Sequence, residues 1–225
     1  MKMFIKKINI LFVFLFVFLT ANAQQPAFYD DIQNFKKQDS VHFPPRHAIL
    51  FVGSSSFTKW TDVQDYFPEH TIVNRGFGGS SLPDVIRYAD EIIFPYSPKQ
   101  VVIYCGENDI AGSDSVTAQM VLDRFKQLFK MIRNSLGKIS VLYISMKPSP
   151  SRQYLMPTFE EANKSIKKYL KKKKKAVFVD VSHKMLNEDG TPMKDIFIED
   201  SLHMNAKGYA IWQKVIEPYL LKNKT

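Results

Sequence analysis

The stretch Ala48-Ile49-Leu50-Phe51-Val52-Gly53-Ser54-Ser55-Ser56-Phe57 decides how this chain is read. Its five consecutive apolar residues are too few for a core helix, and they lack the polar alternation of a strand with one wet face. Such a run suits a strand buried on both sides of a sheet. The glycine and three serines then stop it, so a polar turn follows at the strand's carboxyl end.

Four more runs share this character: Thr71 to Val73, Val101 to Tyr104, Val141 to Ile144 and Ala176 to Val181. Helical patterns separate them. Val121, Phe125, Leu128 and Ile132 fall on one face of a helix expected from about Val116 to Leu136, and Gly137 stops it. Ser81 can cap another helix together with Asp84, three residues on. Tyr209, Trp212, Ile216 and Leu220 form the stripe of the last one. Strands alternating with helices require right-handed crossovers and a parallel sheet covered on both faces. The expected fold is α/β, with three layers and a five-stranded, flavodoxin-like parallel sheet. In such a sheet the site lies beyond the carboxyl ends of the strands.

Composition agrees with one globular domain. The chain has 225 residues, 45% of them hydrophobic and 24% charged, which excludes a disordered chain and a small disulfide scaffold. The net charge of +9 divides into local parts. Lys2, Lys6 and Lys7 precede an apolar run from Ile10 to Leu19, and Ala21-Asn22-Ala23 has the small-x-small form of a cleavage site. Residues 1–23 therefore read as a signal peptide, cleaved near Ala23, which implies export to the periplasm or the exterior. The run is about half the ~20 residues of a membrane span. Residues 24–45 are a polar lead-in expected to pack a helix such as Tyr29 to Lys36, and residues 46–225 are the main domain. Eight lysines and no acid lie between Lys164 and Lys175. They continue a helical pattern through Phe159, Ala162, Ile166, Tyr169 and Leu170, so a solvated helix end is expected, and the run Lys171 to Lys175 could attract an anionic surface. No nucleic-acid recognition motif accompanies the charge. His42, His47 and His70 read as surface or loop residues without metal-site spacing, and no metal or cofactor is expected. The lone Cys105 reads as apolar filling at the end of a buried strand.

Chemistry is sought where the strands end. The first gives Gly53 to Phe57, the second Asn74-Arg75-Gly76-Phe77-Gly78-Gly79-Ser80, and the third Cys105-Gly106-Glu107-Asn108-Asp109. Far downstream, Asp200-Ser201-Leu202-His203 precedes the last helix. Together these loops offer a hydroxyl, an imidazole, an orienting carboxylate and amide donors, the parts that nucleophilic acyl transfer needs. Singly they are ordinary. Asp180-Val181-Ser182-His183 repeats the Asp-x-x-His spacing after the fifth strand. Glu107 and Asp109 read as residues that hold the loop around Asn108, while Arg75, Lys147 and Arg152 could reach the strand-end face. The Gly-x-Ser-x-Gly elbow of the α/β-hydrolases is absent, because position 57 is Phe.

Taken in order, these blocks resemble the SGNH (GDSL-type) hydrolases from about Arg46 to the C-terminus. Gly53-Ser54-Ser55 stands where the family usually has Gly-Asp-Ser, a variant associated with its esterase and acetylhydrolase-like branches. The resemblance implies Ser55 as nucleophile and an oxyanion hole made by the Ser55 and Gly79 N–H groups with the Asn108 amide. It makes Asp200 and His203 the acid and base, since the Asn and Gly-Tyr that follow the block match at Asn205 and Gly208-Tyr209 and so select His203 over His183. The implied function is an exported carboxylic ester hydrolase acting on short acyl esters, such as O-acetyl groups, of carbohydrate or lipid. A non-catalytic module binding polysaccharide or anionic lipid is the alternative on the same fold. A flavodoxin-like phosphate cradle would leave Asp200 and His203 without a role.

Overall fold

The five apolar runs form β1 (Ile49–Gly53), β2 (Ile72–Gly76), β3 (Gln100–Tyr104), β4 (Ser140–Ile144) and β5 (Ala176–Val179) in the computed structural model, which describes residues 25–223. The expected signal peptide lies outside the described residues. All neighbours in the sheet are parallel, in the order β2-β1-β3-β4-β5. Register sets the level of the strand ends: Gly53 stands opposite Gly76 of β2 and Tyr104 of β3. The three loops that follow therefore leave the sheet side by side.

Around the sheet lie α1 (Tyr29–Val41), α2 (Ser55–Thr58), α3 (Val63–Tyr66), α4 (Leu82–Arg87), α5 (Ala89–Ile92), α6 (Glu107–Ala111), α7 (Ala118–Leu136), α8 (Met156–Leu170) and α9 (Ala206–Ile216). Alternate side chains of each strand point to opposite layers. Leu50, Val52, Val101, Ile103, Val141 and Tyr143 pack with residues of α1, α4, α5, α7 and α8. Ile49, Phe51, Val102, Tyr104, Leu142 and Ile144 pack with Phe57, Val63, Trp212 and Ile216 on the other side. Helices following β1 lie opposite those following β2, β3 and β4, because the strand order reverses at β1 and every crossover keeps one hand. That reversal sets the switch point, where open parallel sheets hold their ligands, at the carboxyl ends of β1 and β3.

Local chemistry ends the helices. The Thr117 hydroxyl accepts from the Met120 N–H at 3.2 Å at the start of α7, and Gly137 stops it with φ 67°. Asp84 accepts from the Ser81 N–H at 3.0 Å, completing the capping box of α4. The lead-in helix runs further than expected, to Val41, because Asp39 near its end has buried partners. Its carboxylate accepts from Arg75 and from the Tyr96 hydroxyl. This draws Arg75 away from the strand-end face, contrary to expectation. The lysine run also differs: α8 stops at Leu170, and Lys171 to Lys175 form an exposed turn into β5. Arg133 holds that turn by donating to the carbonyls of Lys174 and Lys175 at 2.9 and 3.1 Å. It lies at the amino end of β5, away from the strands' carboxyl ends. His70, expected as a surface or loop residue, stands in the loop before β2 but is buried, with Nδ1 3.2 Å from the Leu221 carbonyl oxygen. Among the described residues no helix is long and apolar enough to cross a membrane.

Candidate active site

The site begins with a close approach that only glycine permits. Gly53 has φ 140°, and a Cβ built there would lie 1.9 Å from the Tyr104 carbonyl oxygen of β3. Its neighbours tie three loops together: Ser54 N–H donates to the Tyr104 carbonyl at 3.0 Å, and Phe77 N–H to that of Gly53 at 2.9 Å. The chain then turns at once into α2, whose first residue is Ser55. Within the same layer, the Tyr209 hydroxyl donates to the Ser56 carbonyl at 2.9 Å, so α9 pins the same turn.

Asp200 and His203 arrive on a tight turn closed by Ser201 N–H to Ile198 O and by Ile198 N–H to His203 O, at 2.9 and 2.8 Å. Ser201 takes φ 55° there. His203 Nε2 lies 2.8 Å from Ser55 Oγ, and its Nδ1 lies 2.5 Å from Asp200 Oδ2. The other carboxylate oxygen accepts from the Leu202 and His203 N–H groups at 2.9 and 2.8 Å. Burial raises the Asp200 carboxyl, but the hydrogen bonds from the His203 ring and from the two backbone amides outweigh it and bring the pKa down to about 2. The carboxylate is thus ionised at neutral pH and directed at the imidazole. His183 also pairs with its own aspartate, with Nδ1 3.3 Å from Asp180 Oδ1, but its side chain is 58% exposed against 13% for His203. The structure brings Ser55 to His203 and not to His183.

Donors lie on the neighbouring loops. Gly79 has φ 84° in the turn after β2, and among the described residues neither its N–H nor that of Ser55 donates to another protein group. A Cβ on Gly78 would lie 4.0 Å from the Ser55 Cβ, which puts this loop beside the hydroxyl. Asn108, on α6, donates from Nδ2 to the Ser80 carbonyl at 3.0 Å and accepts at Oδ1 from Arg152 Nη1 at 3.0 Å. One amide hydrogen remains free. A hydroxyl, an imidazole, an ionised carboxylate and free N–H groups converging here are sufficient for acyl transfer.

Glu107 and Asp109 hold the loop, as expected. Asp109 accepts from Leu82 N–H and Arg124, both at 2.8 Å. Glu107 is buried and accepts from Lys147 and Arg152 at 3.2 and 2.9 Å, and from the Tyr104 hydroxyl. Burial acts to raise its carboxyl, yet the two cations hold the pKa below the ordinary value. Cys105 is buried, and burial pushes its thiol well up, away from a reactive thiolate. Ser151 was not legible as a site residue. Its N–H and hydroxyl donate to the Ser201 carbonyl at 3.1 and 3.0 Å, and sequence offers no signal for a tie across 50 residues.

Comparison with known proteins adds the family. No curated protein matches the chain. An acylhydrolase-designated protein of Bacteroides fragilis superposes with a TM-score of 0.73 at 20% identity, over 84% of this chain and 95% of the other. A GDSL-like lipase of Bacteroides thetaiotaomicron gives 0.71 at 20% identity, over 83% and 95%. A mutant of an acetylxylan esterase from Geobacillus stearothermophilus gives 0.61 at 15% identity, over 78% and 94%. At such identities the likeness is one of fold. The family is shown by residues 47–211, which span all five strands and the Ser55, Gly79, Asn108, Asp200 and His203 loops and match the GDSL-like lipase/acylhydrolase model: the chain is a hydrolytic ester-cleaving enzyme of that family.

Proposed function

We propose that this enzyme is an exported serine esterase that removes short acyl groups, such as O-acetyl, from carbohydrate or lipid. The observation that carries the reading is the continuous contact from Asp200 through the His203 ring to Ser55 Oγ, at 2.5 and 2.8 Å. In this mechanism His203 Nε2 takes the proton of Ser55 as Oγ attacks the ester carbonyl, and Asp200 stabilises the imidazolium. The tetrahedral oxyanion is met by the free N–H groups of Ser55 and Gly79 and by the Asn108 amide. His203 next protonates the departing alcohol. Water then enters, gives its proton to His203, attacks the acyl-serine and releases the acid with Ser55 restored. No step calls for a metal.

Support for the acyl class comes from the acetylxylan esterase that shares the fold. Export rests on Lys2, Lys6, Lys7, the apolar run and Ala21-Asn22-Ala23. The test is hydrolysis of p-nitrophenyl acetate and acetylated xylooligosaccharides by the chain beginning at Gln24. Ser55→Ala is expected to lower kcat by at least ~10³ without loss of fold. A Ser55→Ala protein with the wild-type rate would end the serine mechanism. Saturable glycan binding by a wild-type protein that a fluorophosphonate does not label would favour the binding module.

A further inference from the structure

A primary amide in an oxyanion hole works in only one of its two orientations. With Nδ2 toward the substrate it donates; turned by half a rotation, it presents a carbonyl oxygen to the developing negative charge. The orientation must therefore be fixed by neighbours that cannot exchange roles. Asn108 has two such neighbours. The Ser80 carbonyl can only accept, and it meets Nδ2 at 3.0 Å. A guanidinium can only donate, and Arg152 Nη1 meets Oδ1 at 3.0 Å.

We infer that Arg152 is a positioning residue for the oxyanion hole: it fixes the Asn108 amide and polarises it, so that the free Nδ2–H donates more strongly to the transition state. The inference rests on the esterase reading above. A charge-assisted hydrogen bond on an amide oxygen draws electron density from the nitrogen and strengthens its N–H groups as donors. The effect grows as charge develops on the substrate oxygen, so it lowers the barrier more than it tightens binding of the ground state.

The surroundings of Arg152 are built for this task. The same Nη1 donates to Glu107 Oε1 at 2.9 Å, and Glu107 is only 3% exposed. Lys147, 1% exposed, donates to the other oxygen of Glu107 at 3.2 Å, and the Tyr104 hydroxyl donates to it as well. Glu107 is thus fully occupied and anchored to β3 and to the loop after β4. An ion cluster this deep is costly to desolvate and adds little stability for its expense, so rigid placement of Arg152 is the return it offers. The residue before it is fixed too. Ser151 binds the Ser201 carbonyl, within the Asp200 to His203 turn, through both its N–H and its hydroxyl. One two-residue segment therefore sets the acid-base turn on one side and the oxyanion donor on the other.

The test is a double-mutant cycle on the intact enzyme with p-nitrophenyl acetate, using Asn108→Ala, Arg152→Ala and the pair, with Arg152→Lys as the conservative variant. Expected are a kcat lowered ~10²–10³-fold in Asn108→Ala, and ~10-fold or more in Arg152→Ala with KM within about twofold. In the Asn108→Ala background, Arg152→Ala should cost less than about twofold, and Arg152→Lys should recover part of kcat, because an ammonium still donates to Oδ1. Thermal unfolding checks that each variant is folded; if Arg152→Ala is not, the cycle is run with Arg152→Gln. Full additivity would overturn the inference, since Arg152 would then act elsewhere. A raised KM with unchanged kcat would also overturn it, in favour of an arginine that binds substrate. Wild-type activity in Asn108→Ala would instead remove the oxyanion assignment beneath it, a failure distinct from the other two.

Discussion

Replacing Asp200 by Asn tests the contact on which the serine mechanism depends. Two backbone amides, Leu202 and His203, donate to Asp200 Oδ1 at 2.9 and 2.8 Å. In the variant they hold the amide oxygen at that position and leave the NH₂ facing His203 Nδ1. A donor there makes Nδ1 the acceptor and moves the ring proton to Nε2, which then donates toward Ser55 Oγ and cannot receive its proton. Loss of such a carboxylate from a buried triad costs ~10⁴ in kcat. The Asp200 side chain is 41% exposed, so water supplies part of the missing stabilisation and a loss of about 10³ is expected. The assay is p-nitrophenyl acetate turnover at pH 7, with thermal unfolding to confirm the fold. In the wild type the carboxyl has a pKa of about 2, below its unfolded value, so the ionised form and its contribution persist above the ordinary carboxylate range and fade only as pH falls toward 2. Protonation of Asp200 therefore enters the wild-type rate profile only at strongly acid pH. A kcat for Asp200→Asn within tenfold of wild type would refute the tautomer argument.

Two further substitutions separate site from scaffold. His183→Ala should leave kcat within about twofold, because that ring is 58% exposed and turned to Asp180 alone, whereas His203→Ala should lose ~10³ or more; equal losses would sink the choice between the two Asp-x-x-His segments. Gly53→Ala should cost about 3 kcal/mol or more from backbone collision and strain, a fall in Tm of roughly 6–12 °C, while Gly190→Ala, with positive φ but nothing within 4 Å, should cost about 1 kcal/mol. Similar Tm values for the two would show that the 1.9 Å approach at Gly53 relaxes freely.

The sequence announced elements whose partners are water or the core, and was less informative where polar groups find partners inside. Five runs of apolar residues identify five strands, since a strand covered on both faces has nothing else to offer. The end of β2 escaped this pattern. Asn74 donates to the Phe57 carbonyl at 2.7 Å and accepts from Gly76 N–H at 2.9 Å, and Arg75 is spent on Asp39 and Tyr96, so two strand residues look like loop. The burial of His70 within its loop is hidden for the same reason: its partner is the Leu221 carbonyl, 151 residues away. The lysine run looks like a helix end because its charge suits one, but α8 stops at Leu170, and Arg133 donates to the Lys174 and Lys175 carbonyls in the turn that leads into β5. In the site, Ser55, Gly79, Asn108, Asp200 and His203 were legible through blocks of local sequence. Their supports were legible only in part: Lys147 and Arg152 do reach the strand-end face, as expected, but the partners that Ser151, Arg152 and Tyr209 find there lie 44 to 153 residues away.

Gly53 links these two kinds of information. A side chain there would collide with β3, so the glycine lets the ends of β1 and β3 approach this closely; its φ of 140° is equally part of the turn into α2 and Ser55. Packing and chemistry make one demand on the same backbone position, at the point where the strand order reverses. The consequence extends to Ser54, which stands where the family usually has an aspartate. It is 4% exposed, and its N–H and carbonyl are already occupied by Tyr104 and by the start of α2. The backbone around it is held by these bonds whichever side chain it carries, so the strand-end geometry tolerates the change from Asp to Ser. The contacts at Ser55 rest on that geometry and on α9, and none of these bonds passes through the Ser54 side chain.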